Sequence, residues 1–265
     1  MRAVEIKQAF GLENLSLVER PSPALSPGQV RVGVRACSLN YRDLLMVTGR
    51  YNPRQPLPLV PLSDGAGEVL EVGPEVRGVQ VGDRVAATFA QGWEGGEATS
   101  SRIRATLGGP LDGMLAEEVV LPEKGVVPIP EHLSYEDAST LPCAALTAYN
   151  ALVKFVPLRA GQRVLVLGTG GVSIFALQLA KAMGAEVAIT SSSDDKLERA
   201  RQLGADHLVN YRKDEKWGKS VRAWTGGSGV DMVLEVGGAG TLGNSMRAVR
   251  VGGLIVLIGI LSGPG

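Results

Sequence analysis

The stretch RVLVLGTGGVSIFALQLAKAMG, residues 163–184, carries the strongest structural signal in this chain. Residues 163–167 form a short, almost wholly apolar run that ends in a cluster of glycines. Apolar residues then recur at the three-and-four spacing of one helix face, namely Val172, Phe175, Ala176, Leu179, Ala180 and Met183. The pattern predicts a buried strand, a tight turn and a helix.

The glycine cluster lies where the predicted strand passes into the helix. A helix N-terminus presents unpaired N–H groups and a positive dipole end, so it favours the pyrophosphate of a dinucleotide. The fingerprint of such sites is G-x-G-x-x-G, whereas this chain has GTGGVS at 168–173, with serine as the third small residue. We predict cofactor contacts at Gly168, Gly170, Gly171 and Val172. The alternative is a glycine-rich turn in an ordinary α/β protein.

Length and composition bound the class of protein. The chain has 265 residues, 45% of them apolar and 35 of them glycine, which suits a loop-rich α/β or α+β protein with two domains. Lys plus Arg and Asp plus Glu balance at 27 each, so nucleic acid and anionic membrane surfaces are not expected partners.

The sequence also bears on the cellular compartment. Its first residues lack a signal-peptide apolar core, and the longest apolar run, 254–261, is too short to span a bilayer, so we expect a cytoplasmic protein. Cys37 and Cys143 are far apart and lack metal-ligand spacing, so both are expected to be reduced thiols.

Residues 1–130 are predicted to form a β-rich domain. Strands are indicated at 30–36, 68–72, 83–88 and 114–121, separated by glycine and proline, with a short helix at Tyr41 to Val47. The polar, glycine-rich stretch 91–112 is predicted to be a long loop that could cover a site or be merely mobile.

Residues 131–265 are predicted to form the second domain. Ser134 and Asp137 form a helix-start signature, and Pro142 should kink the helical stretch that follows. Strands at 163–168, 186–190, 206–210, 230–236 and 254–260 then alternate with helices at 171–183, 194–203, 214–225 and 240–250. This alternation predicts a doubly wound parallel sheet, hence an α/β fold. A dinucleotide-binding sheet of this type has six strands, so the chain is expected to lack the last one, as a truncated or naturally short form would.

The end of the second predicted strand indicates which cofactor binds. NAD sites place Asp or Glu there for the ribose hydroxyls, whereas this strand ends in threonine followed by three serines, 191–193. Asp194 and Asp195 follow too late, while Ser191, Ser192 and Lys196 could hold a 2′-phosphate, which favours NADPH. Alternatively the serines only cap the next helix. Because ligands bind at the carboxyl ends of parallel strands, further cofactor contacts are expected at three later strand ends, namely Tyr211, Val236 with Gly237, and Gly259.

Several stretches together resemble a known family. They are ACSLNYRD at 36–43, GRY at 49–51, SDGAGEV at 63–69, VQVGDRV at 79–85, the glycine loop and Asn210-Tyr211. The chain is similar to the medium-chain dehydrogenase/reductase superfamily, in its zinc-independent quinone oxidoreductase-like branch. The resemblance implies a GroES-like β-rich domain, a Rossmann domain with the active site in the cleft between them, and a further C-terminal portion. It also implies homodimers through the outer Rossmann strand, which are doubtful for this chain.

The resemblance also bears on whether this chain has the ligands of a zinc site. Zinc-dependent members carry Cys, His and Cys at positions that match Asn40, Ser63 and Cys143, and the structural-zinc lobe would fall in 91–112, which contains no cysteine. One thiol does not make a zinc site, so no metal is expected. Without a Lewis acid, hydride delivery to a quinone or α,β-unsaturated carbonyl is favoured over alcohol oxidation. A zinc-free alcohol dehydrogenase, an enoyl-thioester reductase and a non-catalytic NADPH-binding protein are the alternatives.

Four side chains are candidates for the chemistry. Tyr51 resembles a functional tyrosine of related enoyl reductases, which would hydrogen bond or protonate the substrate oxygen, although it could be a packing residue. Asn40 and Asp43 could orient nicotinamide or substrate, or merely cap the short helix. Thr147 resembles a residue near the nicotinamide, and its alternative is a hydroxyl bonded to its own helix. Cys143 is interpreted as a buried filler rather than a nucleophile.

Overall fold

The computed structural model describes residues 1–263, and Pro264 and Gly265 lie outside the described residues. The chain divides into two compact units, Met1–Cys143 and the residues from Ala144 onward. The first unit therefore extends past the predicted limit at residue 130. The reason is that the helix at Tyr135–Ser139, expected to open the second domain, contacts the strands of the first unit.

The first unit is built from short antiparallel strands. They are β1 (Arg2–Ile6), β2 (Leu15–Glu19), β3 (Gln29–Ser38), β4 (Asp64–Val72), β5 (Arg84–Ala87), β6 (Glu118–Pro122) and β7 (Val126–Pro128). Its helices are α1 (Tyr41–Val47) and α2 (Tyr135–Ser139), with 3₁₀ turns at Leu12–Asn14 and Glu123–Gly125. One sheet has the order β6-β3-β4-β5-β7, and β1 pairs with β2 in a separate ribbon.

The apolar alternation predicted for β3 is present in the structure. Val30 and Val32 are buried in one cluster with Val69 of β4 and Val85 of β5. Such alternation is what an antiparallel sheet with one buried face requires. The predicted β-rich domain is therefore confirmed.

One predicted strand begins too early. The stretch 114–121 becomes β6 only from Glu118, because the backbone before it is bonded elsewhere. Met114 N–H donates to Leu62 O at 2.9 Å, and Leu115 O accepts from Val4 N–H at 3.0 Å. Periodicity alone gives no sign of these pairings.

The second unit alternates helices and parallel strands. In chain order it contains α3 (Leu146–Val153), β8 (Arg163–Val166), α4 (Gly171–Ala182), β9 (Glu186–Ser191), α5 (Asp194–Gln202), β10 (His207–Asn210), α6 (Trp217–Trp224), β11 (Val230–Glu235), α7 (Ala239–Ala248) and β12 (Val249–Leu257). The sheet order is β10-β9-β8-β11-β12, with every pairing parallel. The predicted doubly wound sheet is confirmed, with five strands in the described residues.

Strand β8 is buried on both faces of this sheet. Val164 and Val166 pack into one apolar cluster with residues of α3, α4 and α5. Leu165 and Leu167 pack into the opposite cluster with Trp217 of α6. Side chains alternate between the two faces of a strand, so a continuous apolar run is what a central parallel strand needs.

Local helix signals also match. The Ser134 hydroxyl accepts a hydrogen bond from Asp137 N–H at 3.0 Å, which is the predicted cap of α2. Pro142 lies in a π-helical turn, Leu141–Ala145, ahead of α3, since proline cannot continue the regular hydrogen-bond ladder.

Within residues 1–263, no helix has the length and apolar character that crossing a bilayer requires.

Candidate functional site

The glycine loop of the second unit joins β8 to α4. Gly168 adopts a φ of 72°, which glycine tolerates without strain, and its N–H donates to Thr190 Oγ1 at 3.0 Å. A Cβ added to Gly168 or Gly170 would meet no atom within 4 Å, whereas one on Gly171 would lie 3.3 Å from Ala144 Cβ. The loop therefore leaves open space beside the N-terminus of α4. An extended phosphate group fits such a place, since the first N–H groups of a helix lack partners within it.

Ser173 takes the place of the third glycine in the fingerprint. Its side chain is buried, and its Oγ donates to Leu167 O at 2.6 Å. The serine thus ties the end of β8 to the first turn of α4, where glycine would only permit close packing. The departure from the fingerprint leaves the strand-to-helix junction intact.

The serines after β9 divide into two roles. Ser193 caps α5, since its Oγ accepts from Lys196 N–H at 3.4 Å, as the alternative interpretation expected. Ser191 is buried at the carboxyl end of β9, and its Oγ lies 3.5 Å from Thr169 Oγ1 of the glycine loop. Ser192 is half-buried between them. Ser191 is therefore brought to the glycine loop, while Ser193 serves the helix.

The charged residues of the first turn of α5 differ in their engagement. Asp194 accepts from Asn210 Nδ2 at 2.7 Å and from Lys213 Nζ at 2.5 Å, and the hydrogen bond from Asn210 contributes most to lowering its pKa. Its carboxylate is thus already engaged with residues at and after the end of β10. The exposed Lys196 forms no ion pair within the part of the chain that the structure describes.

The predicted rim residues after β11 and β12 lie together. Val236 O accepts from Leu261 N–H at 3.2 Å, and Gly237 O accepts from Ser262 N–H at 2.8 Å. A Cβ on Gly259 would lie 2.4 Å from Val236 O, so only glycine fits at this crossing. The two loops therefore form one continuous edge beyond the carboxyl ends of these strands.

Glu235 organises this edge, a structural role that was not predicted from the sequence. Its carboxylate is fully buried, and Oε1 accepts from Gly237 N–H at 2.8 Å and Gly238 N–H at 3.0 Å. The hydroxyls of Thr241 and Ser245 on α7 also donate to it. One buried carboxylate thus satisfies four donors and fixes the loop between β11 and α7. The signal in the sequence that could have indicated this role is the acidic residue at the end of a mostly apolar strand.

The remaining predicted cofactor residues of the second unit lie at its surface or half-buried. Tyr211 is exposed, and its N–H donates to Ser191 O at 3.1 Å. Thr147 is half-buried on α3, which packs against α4, and its hydroxyl makes no hydrogen bond within residues 1–263. The expected alternative for Thr147, a bond back to its own helix, is therefore not formed. Val172 packs partly against the core.

In the first unit, two of the three positions that match zinc ligands, Ser63 and Cys143, donate hydrogen bonds to the Asp64 carboxylate. Asp64 is fully buried, and it accepts from Ser63 Oγ at 2.8 Å and from Cys143 N–H at 2.9 Å. Asp43 is buried and accepts from Asn40 N–H at 2.8 Å, which is the capping role. Burial raises the pKa of both carboxyl groups above the usual range.

The donor types at this place do not fit zinc. Of the side chains at the three zinc-ligand positions, only that of Cys143 is a type that zinc binds, and one thiol does not make a zinc site. Burial raises the pKa of Cys143 to about 12 and that of Cys37 to about 11, so both thiols are protonated at neutral pH. Asn40 supplies an amide and Ser63 a hydroxyl already donated to Asp64. Among the described residues, no group of three His, Cys, Asp or Glu side chains is placed to hold a metal ion. A protonated thiol also makes Cys143 a poor nucleophile.

A cavity of about 320 Å³ lies within the first unit. Its apolar walls are Met46, Tyr51, Phe89, Ile103 and Pro110, and its polar side chains are Asn52, Gln55 and Thr106. Four of its lining residues, at 103, 106, 109 and 110, come from the predicted loop 91–112, which forms no helix or strand. The loop therefore forms part of the wall of this cavity.

Arg42 contacts several residues that surround this cavity, and this role was not predicted from the sequence. Its guanidinium carbon lies 4.8 Å from the Tyr51 ring centroid and 4.9 Å from that of Phe89, within cation–π range. Its nitrogens donate to Leu107 O at 3.0 Å and Gly109 O at 2.6 Å. The Tyr51 ring is half exposed, and its hydroxyl has no hydrogen-bond partner in the described part of the chain. Tyr51 thus lines the cavity, and no described residue engages its hydroxyl.

Comparisons with known proteins give consistent matches over the whole chain. Residues 26–131 match the family model for the alcohol dehydrogenase GroES-like domain, and residues 171–265 match the model described as zinc-binding dehydrogenase. A zinc-type alcohol dehydrogenase-like protein of Schizosaccharomyces pombe is 44% identical over 268 residues, covering 100% of this chain and 78% of the relative.

Solved structures are similar over nearly the full chain. A putative alcohol dehydrogenase from Sinorhizobium meliloti has a TM-score of 0.91 at 45% identity, covering 100% of this chain and 79% of the other. A quinone oxidoreductase from Pseudomonas syringae gives 0.85 at 31%, with coverages of 99% and 74%. A mycobacterial protein complexed with NADPH gives 0.83 at 30%, with coverages of 100% and 75%.

Replacement of Glu235 tests its role in fixing the loop after β11. Glu235→Leu leaves three buried donors without their acceptor, the N–H groups of Gly237 and Gly238 and the hydroxyl of Ser245, so we expect the free energy of unfolding of the second unit to fall by at least about 3 kcal/mol. Glu235→Gln keeps one oxygen and should cost only about 1 kcal/mol. Chemical denaturation measures both values, and hydrogen exchange at the Gly237 and Gly238 amides should accelerate most in Glu235→Leu.

The matched control is Glu198→Gln, since Glu198 forms only a solvent-exposed pair with Arg201. It should change the free energy of unfolding by less than about 0.5 kcal/mol. Equal stabilities of Glu235→Leu and this control would show that the carboxylate does not fix the loop.

Proposed function

Since the chain belongs to the medium-chain dehydrogenase/reductase superfamily, in its quinone oxidoreductase-like branch, we propose that it is a metal-free NADPH-dependent oxidoreductase. Its acceptor would be a quinone or an α,β-unsaturated carbonyl compound. The observation that carries this proposal is the donor set at Asn40, Ser63 and Cys143, which suits hydrogen bonding and not zinc. Without a Lewis acid to polarise an alcohol, the favoured acceptor is one that is already electrophilic.

The cofactor assignment rests on the second unit. The open space at Gly168 and Gly170 suits a pyrophosphate beside the N-terminus of α4, where Gly171 and Val172 offer N–H groups. Asp194 is the carboxylate nearest the end of β9, and it is engaged by Asn210 and Lys213. Serine hydroxyls and the Lys196 ammonium group therefore remain to contact the ribose of the cofactor. The similar mycobacterial protein was solved with NADPH. These features favour NADPH over NADH.

Individual roles follow from these positions. Ser191, Ser192 and Lys196 would bind the 2′-phosphate through charge-assisted hydrogen bonds. Cofactor contacts at the rim would come from Thr147, Tyr211, Val236, Gly237 and Gly259, and Glu235 would hold part of that rim in place. When bound, NADPH supplies the hydride.

In the first unit we assign substrate contacts to Tyr51 and Asn40. The free Tyr51 hydroxyl would donate to the carbonyl oxygen of the acceptor and stabilise the negative charge that develops there. The Asn40 amide nitrogen is buried beside Asp64, and we assign to the Asn40 side chain the orientation of the nicotinamide or substrate. Asp43 would act through Asn40, because it binds the Asn40 backbone N–H.

Alcohol oxidation is the second candidate function. It is favoured by the names of two similar proteins, both described as alcohol dehydrogenases or alcohol dehydrogenase-like. It would require NADP⁺ reduction with an alcohol substrate in the absence of zinc. We further propose that the protein is cytoplasmic and acts on small molecules.

The first experiment measures NADPH consumption by absorbance with a panel of quinones and enones, and NADP⁺ reduction with alcohols. We expect consumption with at least one electrophilic acceptor, unchanged by a zinc chelator. NADPH binding without turnover of any acceptor would contradict the enzyme assignment. Turnover of alcohols alone would favour the second candidate.

The same assay tests the phosphate contact. Lys196→Ala removes the cation proposed to bind the 2′-phosphate, so KM for NADPH should rise about tenfold while KM for NADH stays within about twofold. Lys219→Ala is the matched control, because Lys219 is an exposed lysine on α6. A parallel change for both cofactors would contradict the assignment of Lys196.

Tyr51→Phe removes only the hydroxyl from the cavity wall. We expect kcat/KM for an enone to fall by about 10²-fold, since hydrogen-bond donation to the developing charge is lost, while the Kd for NADPH is unchanged. Steady-state kinetics and fluorescence titration give the two values. Tyr135→Phe, a tyrosine whose ring lies beneath Arg84, is the control. Full activity of Tyr51→Phe would assign that tyrosine to packing.

A further inference from the structure

One residue in the cavity wall of the first unit comes from an excursion of the chain that is neither helix nor strand. Ile103 lines the cavity and is 47% exposed, so a ligand in the cavity can meet its side chain. It belongs to residues 92–104 of the long loop, called here the tip segment. A bridge between Ala90 and Thr106 closes the base of this segment.

The tip segment makes its hydrogen bonds locally. Ile103 N–H donates to Thr99 O at 3.1 Å, within the segment itself. The ion pair of Glu94 with Lys124, at 3.0 Å, is exposed on both sides, and such pairs stabilise a fold little. Across residues 1–263, no other hydrogen bond or ion pair joins the segment to residues outside 90–106. Substitution of an exposed side chain here should therefore leave the rest of the unit folded.

Other apolar parts of the wall are held by contacts elsewhere in the unit. Met46 is buried on α1. The ring centroids of Tyr51 and Phe89 lie 4.8 and 4.9 Å from the guanidinium carbon of Arg42, which also donates to Gly109 O at 2.6 Å. The wall residue from the tip segment lies outside this network.

The cavity is small for a ligand site. Its volume of about 320 Å³ lies at the lower end of the usual range of about 300–1,000 Å³. A substituent with one aromatic ring matches this volume better than two fused rings. Because the Ile103 side chain forms part of the wall, its size changes the space that remains for such a substituent.

We propose that Ile103 is a specificity-determining residue, whose side chain favours acceptors that carry one aromatic ring over those that carry two fused rings. The inference rests on the proposed function, because it names the size of acceptor that the same site would reduce. Ile103 would touch the substituent of the acceptor, whereas Tyr51 is assigned to its carbonyl oxygen. Replacing Ile103 should therefore change which acceptor is preferred.

Two enones with the same reacting group test the size limit. Benzylideneacetone carries a phenyl group on its β-carbon, and its analogue carries a naphthyl group there. For the wild-type protein, kcat/KM from NADPH consumption should be about tenfold higher for the phenyl enone than for the naphthyl enone. Equal values for the two enones would overturn the size limit.

Variants of Ile103 should move the preference in opposite directions. Ile103→Ala removes most of the side chain and should raise the naphthyl-to-phenyl ratio of kcat/KM about tenfold. Ile103→Phe enlarges the side chain and should lower kcat/KM for benzylideneacetone about tenfold relative to methyl vinyl ketone, which has no ring. Unchanged ratios in both variants would overturn the assignment to Ile103.

The matched control is Leu111→Ala. Leu111 is an exposed apolar residue of the same loop that does not line the cavity, so its replacement should leave the naphthyl-to-phenyl ratio within about twofold of the wild-type value. A tenfold rise in this control as well would assign the effect to the loop as a whole and overturn the role of Ile103.

Binding measurements separate this inference from the proposed function. Calorimetry with NADP⁺ present gives the Kd of benzylacetone and of its naphthyl counterpart, saturated ketones that NADP⁺ cannot reduce. Ile103→Ala should improve binding of the naphthyl ketone about tenfold relative to benzylacetone. This shift without turnover of any enone would support the role of Ile103 and contradict the enzyme. Turnover with unchanged preferences in binding and kinetics would support the enzyme and overturn the role of Ile103.

Discussion

Burial of β8 on both of its faces is the constraint on which the second unit depends. Every side chain from Val164 to Leu167 is packed in one of two apolar clusters, so the strand has no room for polar chemistry along its length. Polar groups are confined to its carboxyl end, where the chain turns through glycine into α4. The neighbouring strands also end in polar residues, Ser191 in β9 and Glu235 in β11.

Two charged side chains, the fully buried Glu235 and the half-buried Arg42, organise the candidate sites. In the second unit, the Glu235 carboxylate binds the loop after β11, and that loop crosses Gly259 too closely for any side chain. In the first unit, the Arg42 guanidinium binds two carbonyl groups of the loop 91–112 and contacts the Tyr51 ring. Both residues bind loop backbone, which makes them positioning groups for the residues proposed to contact ligands.

The parts of this architecture that the sequence predicts are those with a local cause. The helix Tyr41–Val47, the cap at Ser134 and the alternation of strands and helices after β8 all follow from periodicity and short-range hydrogen bonds. The remaining parts depend on contacts between distant residues. Arg42 reaches Gly109, and Asp64 accepts from Cys143, pairings that no spacing rule indicates. The late start of β6 and the extension of the first unit to Cys143 have the same origin.

The central claim is that this chain transfers a hydride from NADPH to an electrophilic carbon. The most direct measurement uses NADPH that carries deuterium at both transferable positions of the nicotinamide, with an enone acceptor, and locates the label in the product by mass spectrometry and NMR. Direct transfer predicts one deuterium on the β-carbon of the saturated product. Consumption of NADPH that leaves the product without deuterium would contradict the account.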